Sequence, residues 1–175
     1  MNDNGKKRFL GRYRGIVASN VDPKQLGRLL VGVPDVLGNH SCIWADPATP
    51  LAGSGMGISY LPPVDAGVWV EFEQGDPDYA IWTGCWRGSK SDVPGDANTA
   101  PPTNPPIVIQ SEGQNRLVIH STPGDGMTLE TSAASSGPRI VITSTSITLS
   151  TGKGASIELS GNSVKINGNS LTVVG

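Results

Sequence analysis

From Ile107 onward the chain repeats one small device: an aliphatic residue, one spacer, then a second aliphatic residue. It occurs at Ile107/Ile109, Leu117/Ile119, Met127/Leu129, Ile140/Ile142, Ile147/Leu149, Ile157/Leu159, Val164/Ile166 and Leu171/Val173. Successive pairs begin 10, 10, 13, 7, 10, 7 and 7 residues apart, with Gly, Ser, Thr and Asn between them. Side chains two apart on a strand share a face. Each pair therefore predicts a short strand with one apolar face, and each gap a tight turn.

The first half follows a different rule. Tyr13 to Ala18 reads as a strand, Val21-Asp22-Pro23 opens a turn, and Arg28 to Val33 is a second strand stopped by Pro34. Gly67 to Glu73 alternates, with Val68, Val70 and Phe72 on one face and Trp69, Glu71 and Glu73 on the other. Gly75-Asp-Pro-Asp is a turn, and Tyr79 to Cys85 returns as a strand. Short strands bounded by turn residues suit a small OB-type barrel. All nine aromatic residues lie between Phe9 and Trp86. Between Asp92 and Pro106 the chain reads DVPGDANTAPPTNPP, which predicts an extended linker rather than helix or central strand. The expected organisation is a tail (1–8), a barrel (9–88), a Pro-rich linker (89–106) and a repeat module (107–175).

Strands with only two inward side chains each cannot enclose a core within one chain. Stacking is the usual answer to a short repeat, but a one-chain β-helix needs roughly 18 or more residues per coil. Units of 7 to 10 residues supply about one face each. Three chains around one axis complete a triangle, so the expected fold is all-β: an N-terminal OB barrel and a C-terminal triple-stranded intertwined β-helix made by a homotrimer. Burial of sixteen aliphatic side chains amounts to roughly 24–48 kcal/mol gross per chain, most of it inaccessible to a monomer. The candidate trimer core is Ile107, Ile109, Leu117, Ile119, Met127, Leu129, Ile140, Ile142, Ile147, Leu149, Ile157, Leu159, Val164 and Ile166.

Composition agrees with an all-β reading. The 175 residues include 23 Gly and 14 Pro, both poor in helix interiors. A net charge of −2 leaves no footprint for nucleic acid or an anionic membrane. The basic cluster Lys6, Lys7, Arg8, Arg12 and Arg14 reads as a solvated tail leading into the first strand rather than a nucleic-acid arm. No secretory leader and no run of 18 apolar residues is visible, which predicts folding in a cytoplasm. Cys42 and Cys85 are then expected to be reduced, small core residues.

Candidate chemistry is sparse. Glu71 and Glu73, two apart on a strand, approach the spacing of a glycosidase pair, but nothing nearby promises a pocket to raise one pKa. His40 and Cys42 lack a second pair of ligands for zinc. Gly53-Ser-Gly-Met-Gly lacks the Lys-Ser/Thr and the helix of a phosphate loop and reads as a flexible surface loop. The expectation is no enzyme, no metal and no cofactor. Alternatives are an OB-fold binding single-stranded nucleic acid, opposed by Glu71, Glu73, Asp76 and Asp78, or a glycan-binding tail fibre, opposed by the lack of aromatics after Trp86.

The segment Gly15-Ile-Val-Ala-Ser-Asn-Val-Asp-Pro-Lys-Gln-Leu-Gly-Arg-Leu-Leu-Val-Gly-Val-Pro34 resembles the opening of the injector OB domain of phage baseplate spikes and VgrG-type proteins. The likeness continues through Trp44-Ala-Asp-Pro, Ala52 to Ile58, Pro62 to Phe72, Gly75-Asp-Pro-Asp78 and Ile81-Trp-Thr-Gly-Cys85. Its wording is most similar to spikes of phage-tail-like extracellular contractile injection systems, and the repeat half resembles their trimeric shaft. The resemblance implies a cell-puncturing spike, assembled in the bacterial cytoplasm into a phage tail or tail-like particle. It plugs the inner tube, sits among baseplate proteins and touches the target envelope transiently. The lysozyme domain of large myophage spikes and the hub of VgrG proteins are missing, so a separate hub protein is implied. So is a PAAR-repeat protein at the tip, docked on Leu171, Val173, Val174 and Gly175. A His-x-His tip motif is absent, since the only histidines are His40 and His120.

Overall fold

Alternation of side chains explains how the first half closes. In a computed structural model, which describes residues 7–131, 137–168 and 170–174 (the side chains of 172 and 174 excepted), the chain forms two compact units, residues 1–88 and 89–175. In the first unit β1 (Tyr13–Ser19), β2 (Leu29–Gly32), β3 (Cys42–Pro47), β6 (Gly67–Phe72) and β7 (Ala80–Cys85) make a closed barrel in the order β1-β2-β3-β7-β6. Neighbours are antiparallel except β3 and β7, which run parallel. A two-stranded hairpin, β4 (Ala52–Gly53) and β5 (Met56–Gly57), lies between β3 and β6.

The barrel core consists of Val17, Leu29, Val31, Val33, Ala45, Val68, Val70, Phe72, Ala80 and Trp82. Val68, Val70 and Phe72 point inward, as the alternation predicts, and Trp69 and Glu71 point away. Trp82 is the largest buried side chain, and its indole N–H donates to the Gly27 carbonyl at 3.1 Å, so the bulk enters the core without an orphaned donor. The indole of Trp86 lies flat against Gly67, and any Cβ there would run into that ring. The approach to β1 is pinned: Phe9 packs on Tyr13 and Phe72, and its N–H donates to the Gly75 carbonyl at 2.9 Å.

Several local elements differ from expectation. Pro34 ends β2 but also starts a one-turn helix, α1 (Pro34–Leu37), since proline suits a first helical turn. Strand β3 escapes notice in the sequence because Cys-Ile-Trp-Ala-Asp-Pro lacks clean alternation. Residue Glu73 leaves the strand for a 3₁₀ turn (Glu73–Gly75). Cys42 and Cys85 are free thiols, but exposed rather than in the core. They lie at strand ends, beyond the positions that face the barrel interior.

Asp22 fastens the β1–β2 connection. Its carboxylate accepts from the backbone N–H of Lys24 (2.9 Å), Leu26 (2.8 Å) and Arg28 (3.3 Å), and from Arg28 Nη2 at 2.6 Å. The Arg28 guanidinium also lies 4.9 Å from the centre of the Trp44 ring. Both charged side chains are nearly buried. Arg28 first, then the backbone donors, hold the Asp22 carboxyl well below the usual carboxylate range, against the opposing effect of burial.

The second unit opens on residues 89–106, which are not simply extended. A 3₁₀ turn (Lys90–Asp92) with a Ser89/Asp92 capping box is followed by α2 (Gly95–Thr99). Pro94 takes the N-cap place, where a missing N–H costs nothing, and no proline interrupts the helix before Pro101. Eight strands follow: β8 (Ile107–Gln110), β9 (Arg116–Ile119), β10 (Met127–Glu130), β11 (Arg139–Ile142), β12 (Ser146–Ser150), β13 (Ser156–Ser160), β14 (Ser163–Ile166) and β15 (Leu171–Val174). They pair with their sequence neighbours in one antiparallel meander.

The leading segment is tied to the first strands of this sheet. Arg116 forms ion pairs with Asp96 of α2, at 2.9 Å, and with Glu130, which is buried. Asn104 donates to Thr122 Oγ1 at 3.1 Å, and the Ser121 hydroxyl donates to the Pro105 carbonyl.

Two stability tests follow from these contacts. A depressed folded pKa stabilises above the ordinary value of 3.8, and that contribution fades as pH falls below it. Asp22→Asn should therefore lower the barrel's melting temperature at pH 7, with the gap to the parent closing on acidification below about pH 4, as read by calorimetry. Glu130→Ala leaves Arg116 nearly buried with half its partners gone, and should destabilise the second unit by on the order of 3–5 kcal/mol in a denaturant titration.

Candidate functional site

Register turns the aliphatic pairs into a surface. Across the meander, Ile107, Ile119, Met127, Ile142, Ile147, Leu159, Val164 and Val173 stand opposite one another in turn. A second ladder runs beside it: Ile109, Leu117, Leu129, Ile140, Leu149, Ile157, Ile166 and Leu171. Every candidate core residue falls in one of the two ladders. Leu171 and Val173, expected to form a separate tip surface, complete the last rung of the same face. Val174 pairs with Ser163 on the opposite register, while Gly175 and the Val174 side chain lie outside the described residues.

The exposure of this sheet inverts the usual order. Along β12, Ile147 and Leu149 are exposed while Ser146, Thr148 and Ser150 are half-buried, and β13 repeats the pattern. Exposure in the ladders reaches 66% at Ile109, and Leu117, Val164 and Ile166 are half-buried. The second ladder floors a trough of about 1030 Å³, rimmed by Arg116, Arg139, Thr151, Ser156 and Asn167. An aliphatic face this large and continuous is a contact surface, not a solvent surface. Because each side chain is already partly covered by its neighbours, complete burial adds roughly 10–20 kcal/mol per chain, less than full transfer from water suggests.

Consecutive strands bond each other, so within one chain each strand lies beside its predecessor in one continuous sheet. At one connection, length alone compels this. Gly161-Asn162 joins β13 to β14 in two residues, with Gly161 at φ +57°, and a linker that short permits only a hairpin. Gly126, at φ +70°, sits so close to the Ile142 carbonyl that no Cβ fits.

The opposite face changes character along the sheet. Its central ladder runs Val108, Val118, Thr128, Val141, Thr148, Glu158, Lys165, Thr172. Val118 is buried where the 89–106 segment covers β8 and β9, and Glu158 stands opposite Lys165 where it does not. Sequence reading missed this covered patch and its Arg116–Glu130–Asp96 network. The signal available was Val108 and Val118 on the polar phase of their strands.

The remaining candidates are not brought together. Glu71 pairs with Arg12 at 2.6 Å, and Glu73 is in the turn, so these two carboxylates do not share a strand face. His40 and Cys42 are both exposed, and among the described residues no three His, Cys, Asp or Glu are grouped as a metal site. Gly53 to Gly57 forms the β4–β5 hairpin instead of a flexible loop. The basic cluster is engaged within its own unit: Lys7 over Phe9, Arg8 on the Gln74 carbonyl, Arg12 on Glu71, Arg14 against Trp69 and Trp86. Lys6 lies outside the described residues.

Comparison with known proteins accounts for both units. The profile of the type VI secretion system/phage-baseplate injector OB domain matches residues 13–86. That of the phage baseplate V C-terminal trimerisation domain matches residues 106–172. A search among curated proteins finds no match. Among the described residues no helix is long and apolar enough to cross a membrane. The barrel carries one match and the doubly laddered sheet the other, so the chain belongs to the baseplate spike-like proteins, with an injector OB domain followed by a trimerisation domain.

Proposed function

We propose that this chain is the central spike of a contractile injection particle or phage tail, a non-enzymatic homotrimer that plugs the inner tube and pierces a target envelope on sheath contraction. The observation that carries the reading is the double aliphatic ladder, left open in a chain that bears a trimerisation domain. Three such walls, apolar faces inward, make a prism whose interior is dry. The trimer core is then Ile107, Ile109, Leu117, Ile119, Met127, Leu129, Ile140, Ile142, Ile147, Leu149, Ile157, Leu159, Val164 and Ile166, finished by Leu171 and Val173. Eight strands at about 4.8 Å spacing give a wall of roughly 40 Å. Its bending breaks many ladder bonds together, which suits a part loaded mechanically.

The barrel is the part that meets a separate hub protein, inner tube and baseplate. No nucleic acid is required: Trp82 is in the core, Arg28 covers Trp44, and Arg14 lies against Trp69 and Trp86, so the rings are occupied within the chain. At the far end of the meander β15 leaves one backbone edge open, a template for a further β element. A PAAR-repeat cap bound to the last rung and this edge fits that surface.

Two experiments test the reading. Leu149→Asp places a charge in the middle of the apolar face, whereas Thr148→Asp places one on the opposite face. Light scattering should report three chains for the parent and for Thr148→Asp, and loss of the trimer for Leu149→Asp; a folded parent monomer at micromolar concentration would sink the architecture. Deleting Leu171–Gly175 should leave the trimer folded, with one rung lost, but abolish pull-down of a co-encoded PAAR-type protein. Undiminished capture by the truncated spike would refute the assigned tip.

A further inference from the structure

The barrel has one segment that its own core does not use. Residues 51–61 are exposed at every position, yet they are ordered as the β4–β5 hairpin. The segment presents Leu51, Met56 (60% exposed), Ile58, Tyr60 and Leu61 to solvent. Its base is firm. Ile58 N–H donates to the Leu51 carbonyl at 3.1 Å, Asn20 donates to the Pro62 carbonyl at 3.1 Å, and Tyr60 stands edge-on to Trp82 at 5.5 Å. Beyond that base, two strands of two residues are too small to be stable alone in water. A projecting arm that is apolar, ordered and rooted on the core calls for a surface to cover it.

We propose that this hairpin is a clasp whose occupant is the barrel of a second copy of the same chain. Charge is the first argument. Residues 48–64 contain no Asp, Glu, Lys, Arg or His over seventeen positions, in a protein that is 16% charged. Around a threefold axis the contact is heterologous, so the arm of one chain meets a different patch of its neighbour; an arm without charge buries there with no ion to strip of water. Nor does the arm offer a charged handle for recognising a different protein. Proximity is the second argument. The trimerisation domain begins at residue 106, and the segment before it is already tied to the second unit through Asp96–Arg116 and Asn104–Thr122. Little slack chain is left, so trimerisation holds three barrels at an effective concentration on the order of millimolar. A contact too weak to join free barrels then forms within the trimer. Met56, unbranched and adaptable, is suited to a face that meets a curved neighbour.

The clasp rests on the trimeric reading, and the test separates the two. Light scattering is run first on the full chain; a single chain there overturns the trimer and the clasp with it. Hydrogen exchange is then compared between the parent trimer and a Leu51→Ser/Met56→Ser/Ile58→Ser variant, with the combined tryptophan emission, all of it from residues 44–86, as the check on the barrel. The amides of residues 52–58 should exchange about tenfold or more slowly in the parent than in the variant. Equal, fast exchange in both trimers overturns the proposal, whether the arm stays bare or serves a different protein. Should the triple variant lose the parent's tryptophan emission, Met56→Ser alone replaces it, with the same direction expected.

Discussion

Two ladders of aliphatic side chains on one face of a sheet, with nothing in their own unit to cover them, set the terms for the second half of this molecule. A sheet in water has to bury one face or abandon apolar residues on both. Here the apolar phase is kept through eight strands without a lapse, from Ile107/Ile109 to Leu171/Val173. The turns keep phase despite their different lengths, because a slip of one residue would exchange the two faces. Asn167, at φ +51°, shows how: its N–H and side-chain oxygen bond the Ser156 backbone at 2.8 and 2.9 Å, continuing the ladder one step beyond the last regular pair.

The two units solve the burial problem by opposite means. The barrel closes on itself and fills its interior with two aromatics, Phe72 and Trp82, and several branched aliphatics, so its core is complete in one chain. The sheet stays open and uses slim aliphatics of similar size on every rung. Uniform rungs suit it, since identical chains then meet in identical ways. The confinement of all aromatic residues to Phe9–Trp86 is thus a consequence of two packing regimes.

Much of this was legible in the residues. Strict alternation in Gly67–Phe72 gave the inward face of β6, and the i, i+2 pairs gave every strand of the meander. What sequence reading missed depends on contacts distant along the chain. Strand β3 is defined by its parallel partner β7, not by its own pattern. Helix α2 is a turn and a half among prolines, and its Asp96 finds Arg116 twenty residues away. The path of the chain was decided by turn chemistry. Repeat length alone leaves the next position of a strand open, but here each strand returns beside its predecessor, most tightly across the two residues Gly161-Asn162.

That return path has a consequence for assembly. In a meander every backbone ladder is satisfied within one chain, apart from the two outer edges. The sheet is able to form first, from local hairpins, and the apolar faces to meet afterwards. Such local contacts are the kind that form quickly. Until they meet, the exposed ladders are an aggregation hazard. The covering of β8 and β9 by the 89–106 segment, and the Glu158–Lys165 pair further along, keep the opposite face from competing for the same association. The direction of assembly is thereby set by which of two faces was left bare.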